Sequence, residues 1–213
     1  MKKKISIFGS TGSIGKTTLS LLKDKKNYQL YILTANRNSK KIINLIKIFK
    51  PKIFIVFDFK TYLKIKKKFH NKNITILNSK NYLNFNYKKS DISIAAIPGI
   101  AGLKPTLELL KISKKILIAN KESVICGWQL IKKIALKKKV QLIPIDSEHF
   151  SVMKLLQHEN IDNLEKIYLT ASGGPFLNFS KSKMKNIRPK QAINHPKWKM
   201  GKKISVDSAT LMN

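Results

Sequence analysis

Three short stretches concentrate side chains able to do chemistry. The first, "FGSTGSIGKTTL" (8–19), is dense in glycine, continues the apolar run "ISIF" and closes on Gly-Lys-Thr-Thr-Leu, a composition suited to holding phosphate. A nucleoside-triphosphate P-loop needs Gly, four residues, then Gly-Lys-Ser/Thr, so that a ring of backbone N–H groups surrounds the β-phosphate. Counting back from Gly15-Lys16-Thr17 puts Ser10 at the first position, with Gly9 one residue too early. Register therefore excludes the P-loop and leaves Lys16 as a first-turn helix lysine. A dinucleotide-binding turn remains, in which glycines permit a sharp strand-to-helix turn and the helix N-terminus faces a pyrophosphate. The spacing Gly9, Gly12, Gly15 is G-x-x-G-x-x-G rather than the commoner G-x-G-x-x-G, and an ordinary glycine turn would also satisfy it.

In the second stretch, "PIDSEH" (144–149), Asp146 and Glu148 are two apart. An extended backbone would turn both carboxylates to one side and Ser147 and His149 to the other. Two hard oxygen donors suit Mg²⁺ or Mn²⁺, with a solvated acidic loop as the plainer alternative. Zinc is disfavoured, because the chain has one cysteine and His70, His149, His158 and His195 lack ligand spacing. No G-x-S-x-G elbow supports a hydrolase. The third stretch, "ANKES" (119–123), sets Asn120, Lys121 and Glu122 together; Lys121 could orient a substrate oxygen or be one surface lysine among many. Further along, "TASGGPF" and "HPKWKMGKKISVDSATLMN" supply hydroxyls and glycines suited to a phosphate dianion. Trp198 there is either a loop aromatic that shuts out water or a buried tryptophan.

The elements that must carry these stretches are legible from periodicity. Short apolar runs at 4–8, 29–35, 52–58, 74–77, 92–97, 115–120 and 140–145 read as strands. Helix-period segments fall between them at 13–24, 39–49, 61–69, 103–110 and 128–138. Continuous apolar strands alternating with helices imply a doubly wound, mostly parallel α/β sheet covered on both faces, with ligands at the strands' C-terminal ends. The second strand then ends at Asn36-Arg37-Asn38, without the acid that would hold the ribose hydroxyls of NAD. Arg37 tilts the expectation to the 2′-phosphate of NADP, although it could be a surface charge. The Lys/Asn-rich stretch 64–89 reads as solvated surface or loop. From about Phe150 a helix "SVMKLLQHE" and a strand "EKIYLTAS" open an α+β domain that too little apolar sequence follows to close. The boundaries expected are 1–149 and 150–213.

Composition limits the function classes. Among 213 residues, 43 basic against 11 acidic side chains give a net charge of +32. That balance invites nucleic acid, but 41 of the basic residues are lysine, and arginine, the preferred base and phosphate reader, occurs only at 37 and 188. The lysines are spread along the chain beside many isoleucines and asparagines, the signature expected of an AT-rich bacterial genome, and nucleic-acid binding is not expected. No apolar run approaches a membrane span, and "MKKK" runs straight into the first strand, so neither membrane nor leader is expected. A lone Cys126, expected as a small buried residue, fits a reducing, cytoplasmic setting.

The stretches "GSTGSIG", "ANKES", "PIDSEH", "TASGGPF" and "HPKWKMGKKISVDSATLMN", in this order over the whole chain, closely resemble the 1-deoxy-D-xylulose 5-phosphate reductoisomerases. The resemblance implies a Rossmann-like NADPH-binding domain, a metal-dependent catalytic domain, a C-terminal helical domain and a homodimer. It implies isomerisation of the sugar phosphate followed by reduction with hydride from NADPH, with Mg²⁺, Mn²⁺ or Co²⁺. Residue by residue, it makes Thr11, Gly12, Ser13, Ile14, Asn36, Arg37, Asn38, Asn120, Glu122 and Gly201 cofactor contacts. Asp146 and Glu148 become metal ligands, and Lys121 and Ser147 orient the sugar. Ser172, His195, Ser208 and Asn213 become substrate contacts mostly around the phosphate, with Trp198 and Met200 as a closing flap. The family often has Gly-Lys-Asn where this chain has Asn36-Arg37-Asn38. Its motif continues beyond position 213 with a phosphate-binding lysine and a third metal carboxylate, so a chain of this length is expected to be a portion of the enzyme.

Overall fold

Strands buried on both faces need apolar side chains at successive positions, and the isoleucine-rich runs supply them. The computed structural model describes residues 2–70, 72–199 and 201–210. In it β1 (Lys3–Phe8), β2 (Tyr28–Ala35), β3 (Ile53–Val56), β4 (Thr75–Asn78), β5 (Ser90–Ala95), β6 (Ser113–Ile118) and β7 (Gln141–Pro144) form one sheet. The order is β4-β3-β2-β1-β5-β6-β7, and every pairing is parallel. Along β3 the residues alternate between two cores, Ile53 and Ile55 on one face and Phe54 and Val56 on the other.

The connecting helices cover both faces. Leu19 of α1 (Ser13–Leu22), Ile42 and Ile46 of α2 (Ser39–Phe49) and Tyr62 and Ile65 of α3 (Phe59–Lys68) pack with Phe54. Leu109 and Leu110 of α4 (Leu103–Lys111) and Ile131 and Ala135 of α5 (Lys121–Lys138) pack with Ile55. The i, i+4 spacing of Ile42/Ile46 and Ile131/Ala135 is the apolar stripe of a helix on a sheet. The doubly wound expectation holds, and each of the seven strands lies within two residues of its expected bounds.

Three local expectations change. Helix α5 starts at Lys121, not Trp128, and is kinked at Gly127, whose φ of −134° is non-helical. Cys126 lies on the exposed side of that first segment, so it is not a buried residue. The lysine-rich stretch 64–89 is more than surface and loop: beyond the expected end of α3 and β4, its Tyr82, Leu83, Phe85 and Tyr87 pack against the core beneath the lysines. Burial, with the Glu108 carboxylate nearby, pushes the Tyr82 hydroxyl up to about 12. Burial pushes the Tyr87 hydroxyl up as well, and it donates to the Tyr82 carbonyl at 2.7 Å.

The chain divides into two compact units, Met1–Gln157 and His158–Asn213, the first ending with α6 (Ser147–Leu155). The second unit holds the short helices α7 (Lys181–Met184) and α8 (Pro189–Ala192) and the longer α9 (Lys202–Ala209). The stretch 165–172, expected as a strand, has no ladder partner among the described residues, and Tyr168 within it is 82% exposed. Among the described residues no helix is long and apolar enough to cross a membrane.

Candidate functional site

In the first unit the candidate residues collect where the strands end. β1 has β2 on one side and β5 on the other, so the connections leave it in opposite directions and open a crevice at its C-terminal end. The glycine turn fills that position. Its first residues are stitched to β2: the Gly9 N–H donates to the Thr34 hydroxyl (3.0 Å), and the Ser10 N–H and hydroxyl both donate to the Thr34 carbonyl (2.9 and 2.7 Å). Ser10, which broke the P-loop register, is fully buried.

The three glycines have different reasons to be there. Gly9 has φ +97°, and a Cβ on it would lie 2.5 Å from the Ala96 carbonyl oxygen. A Cβ on Gly15 would lie 2.4 Å from the Gly9 carbonyl oxygen. Both are required by packing of the turn. Gly12 is exposed, has ordinary φ, and its Cβ would meet nothing nearer than 3.4 Å. Packing does not explain Gly12, and a glycine with such clearance leaves its backbone open to close approach.

The helix N-termini reinforce this contrast. Asn38 caps α2, Asp58 caps α3, Asn120 caps α5 and Asp146 caps α6, each accepting from a backbone N–H at 2.9–3.0 Å. Helix α1 has Gly12 at its N-cap and no side-chain cap. Its first N–H groups and the positive end of its dipole face the crevice beside Thr11, Ser13 and Ile14, the arrangement that accepts a pyrophosphate.

At the end of β2, Asn36, Arg37 and Asn38 are all exposed. Asp58 reaches Arg37, its Oδ1 lying 3.4 Å from Nε, while the Thr61 hydroxyl donates to the Arg37 carbonyl at 3.2 Å. Hydrogen bonds from Thr61, and then the guanidinium charge, hold the Asp58 carboxyl below its usual range. The sequence reading missed Asp58 by assigning it to the third strand. Its signal was a helix start: an aspartate three residues before Thr61, whose N–H it caps.

At the end of β6, Asn120 is 2% exposed and its amide is fully engaged. Oδ1 accepts from the Ser123 N–H, and Nδ2 donates to the carbonyls of Ile97 and Gly99, so the side chain ties the loop after β5 to α5. A Cβ on Gly102 would strike that amide at 1.9 Å, which explains this glycine. Beside it the Ser123 hydroxyl is buried with no hydrogen-bond partner among the described residues, a polar position under the α5 N-terminus. Lys121 and Glu122 sit half-buried in the first turn of α5, where an acid is favoured by the dipole.

The Asp146–Glu148 expectation needs a structural correction. The two are not neighbours on one side of an extended strand: Asp146 is the N-cap of α6 and Glu148 lies in its first turn. His149, expected on the opposite side, places Nδ1 2.7 Å from Asp146 Oδ1, and the Ser147 hydroxyl donates to Glu148 at 2.9 Å. The reason is that Asp146 accepts the His149 N–H, which winds the chain into helix one residue after the strand-like segment stops. Among the described residues no three His, Cys, Asp or Glu side chains gather around one point. The hard oxygen donors fit Mg²⁺ or Mn²⁺, and they amount to a partial set.

In the second unit, Ser172, His195 and Ser208 meet. His195 is buried, and its Nδ1 accepts from the N–H groups of Lys197 (3.1 Å) and Trp198 (3.2 Å). An acceptor Nδ1 puts the proton of the neutral ring on Nε2, which lies 2.9 Å from Ser172 Oγ and donates to it. Ser172 Oγ lies 3.0 Å from Ser208 Oγ and accepts from the Gly174 N–H at 3.3 Å. Gly174 has φ +63°, and a Cβ there would lie 2.7 Å from the Ser208 carbonyl, so it lets this turn approach α9. Trp198 is exposed rather than buried and stacks on His195 at 4.9 Å between ring centres. Gly201 is the exposed N-cap of α9, while Met200 and Asn213 lie outside the described residues.

An open parallel sheet with an uncapped glycine turn at its switch point and a basic residue ending its second strand is the architecture of the doubly wound α/β class to which dinucleotide-binding domains belong. The chain belongs to the 1-deoxy-D-xylulose 5-phosphate reductoisomerase family. The family model of that description matches residues 5–127, and that of the reductoisomerase C-terminal domain matches 142–213. A 1-deoxy-D-xylulose 5-phosphate reductoisomerase of Pelagibacter ubique is 52% identical over 99% of this chain and 55% of its own length. One from Wolbachia pipientis subsp. Culex pipiens is 44% identical over 99% of this chain and 54% of its own length. The reductoisomerase of Zymomonas mobilis in complex with NADPH superposes with a TM-score of 0.86 at 34% identity, over 100% of this chain and 55% of that one. A DOX-P reductoisomerase crystallised with NADPH, fosmidomycin and magnesium gives 0.86 at 35% identity, over 99% and 55%. The chain thus spans about half the length of the curated relatives it matches.

Proposed function

We propose that this chain carries the NADPH-binding domain and the start of the catalytic domain of a metal-dependent reductoisomerase. The reaction converts 1-deoxy-D-xylulose 5-phosphate to 2-C-methyl-D-erythritol 4-phosphate in the non-mevalonate isoprenoid pathway. The observation that carries the reading is the uncapped, Gly12-led N-terminus of α1 at the sheet's switch point, in a chain of this family. Thr11 to Ile14 receive the pyrophosphate, and Asn36, Arg37 and Asn38 receive the 2′-phosphate end. Glu122 and the backbone at Asn120 line the way to the nicotinamide, and Gly201 completes the cofactor contacts. The Asn120 side chain itself acts as a bracket, because its three hydrogen bonds are already made within the protein.

Asp146 and Glu148 hold a divalent cation, Mg²⁺, Mn²⁺ or Co²⁺. When bound, the cation polarises the carbonyl and hydroxyl oxygens of the sugar, and NADPH supplies the hydride. Lys121 and Ser147 orient the sugar backbone. Ser172, His195, Ser208 and Asn213 take the phosphate; the Nε2 proton of His195 and the serine hydroxyls are donors of the kind a dianion needs. Trp198 with Met200 closes over the substrate. The complete protein works as a homodimer in the bacterial cytoplasm, on a small sugar phosphate.

The test is deoxyxylulose-phosphate-dependent oxidation of NADPH by the complete polypeptide. Turnover should require Mg²⁺ or Mn²⁺ and fall more than about 100-fold in Asp146→Asn. Metal-independent turnover, or full activity in that variant, would defeat the metal assignment. A second reading, NADPH binding without turnover by a polypeptide of these 213 residues, is favoured by the partial donor set around Asp146 and Glu148. A normal rate from that polypeptide removes it.

A further inference from the structure

The Asp58–Arg37 contact joins two connections that the sequence does not link. Asp58 uses its two oxygens differently: Oδ2 accepts from the Thr61 N–H and starts α3, while Oδ1 faces Arg37 Nε at 3.4 Å. Thr61 adds a second tie through its hydroxyl on the Arg37 carbonyl. Backbone and side chain of Arg37 are thus both held from the first turn of α3. The Arg37 side chain is nonetheless 83% exposed, so what α3 fixes is its direction and not its burial. A guanidinium has one edge containing Nε and another formed by its two terminal nitrogens. With the Nε edge engaged by Asp58, the terminal edge stays open for a bidentate phosphate.

We propose that Asp58 is a specificity-determining positioning residue: it aims the Arg37 fork at the 2′-phosphate of the cofactor and so sets the preference for NADP over NAD. The proposal rests on the NADPH reading above. It runs against the simplest electrostatic expectation, in which a carboxylate beside a phosphate site only repels.

Calorimetric binding of adenosine 2′,5′-bisphosphate and of 5′-AMP to the intact chain isolates the 2′-phosphate. The wild type should prefer the bisphosphate by at least about tenfold, the scale of one charge-assisted pair. Arg37→Ala should bring the two affinities together. Asp58→Asn keeps the helix cap, since asparagine caps as well as aspartate, and should narrow the preference about two- to fivefold, the range of an exposed ion pair. Asp58→Ser, also cap-competent, should do the same. Adding Asp58→Asn to Arg37→Ala should leave the ratio where Arg37→Ala put it, which a general loosening of α3 would not do. An unchanged or widened preference in Asp58→Asn overturns the proposal and leaves the Arg37 assignment standing. A wild type without preference, or one that survives Arg37→Ala, overturns the NADPH reading at this end of the site and the Asp58 role with it.

Discussion

The strand-end crevice of the first unit and the Ser172–His195–Ser208 cluster of the second both gather polar groups, but they hold them by different means. In the crevice the positions are set by the sheet: each loop begins where a strand leaves a parallel ladder, and all but the glycine turn and the β4–β5 connection feed a helix through a side-chain cap or a short 3-10 turn. In the second unit no strand occurs among the described residues, and order comes from side chains bonded to one another around a buried histidine. A scaffold made of backbone tolerates most side-chain changes and fails where the backbone itself is crowded. One made of side chains fails when its hub is removed.

The largest expected effect breaks the first half of that comparison. Gly9→Ala and Gly15→Ala each bring a Cβ to about 2.5 Å of a carbonyl oxygen, and the first also forces alanine to φ +97°. Each should cost about 3–5 kcal/mol in denaturant unfolding, combining overpacking with backbone strain. Gly12→Ala, with 3.4 Å of clearance, should change stability by less than about 1 kcal/mol and instead weaken NADPH binding, read by fluorescence titration. Equal stability losses at all three glycines would show that Gly12 serves packing alone.

A smaller effect breaks the second half. His195→Ala takes one of three partners from the Ser172 hydroxyl and removes the acceptor shared by the N–H groups of Lys197 and Trp198. The loss should be about 2–4 kcal/mol. Hydrogen exchange should localise it to the second unit, with β1 to β7 keeping their protection. His195→Asn should recover part of it, since its side-chain oxygen can replace Nδ1 as acceptor. Loss of protection across the sheet would mean that the two units unfold as one.

The same contrast decides what could be read in advance. All seven strands were visible because a parallel sheet buried on both faces writes itself as unbroken runs such as "IFIV" and "YILTA". The first turns of α5 were not, because Gly127 interrupts the helix and Ile125 and Cys126 face outward, leaving no 3.6-residue apolar period before Trp128. The glycine turn, Arg37 and the acids at 146 and 148 stood out by type, but the extended geometry assumed for those acids failed at a helix cap. Asp58 and the bracket made by Asn120 carry no apolar period and act across the fold, so only the folded chain brings their partners within reach. In the second unit the motif residues were legible one by one, while the hydrogen bonds that unite Ser172, His195 and Ser208 span 23 and 36 positions of sequence.

The smallest expected effect sharpens the backbone side of the comparison by improving it. Helices α2 and α5 end in the left-handed conformation at Lys50 (φ 43°) and Lys139 (φ 53°), the positions where glycine is normally preferred. Each lysine accepts a Cβ clash with its own backbone there, while its N–H still closes the last helical turn onto Ile46 or Leu136. Glycine would relieve that clash but adds freedom to the unfolded chain, so the two terms oppose. The relief is the larger at a C-terminal left-handed residue, and Lys139→Gly should stabilise the first unit by about 0.5–1 kcal/mol, read as a higher denaturant midpoint at unchanged slope. Removing a positive charge from the end of a helix works against the gain by a few tenths, which Lys139→Asn, equally uncharged but bearing a Cβ, would isolate. A lower midpoint for Lys139→Gly than for Lys139→Asn would mean that the lysine backbone there is unstrained and that the helix end is held by side-chain contacts after all.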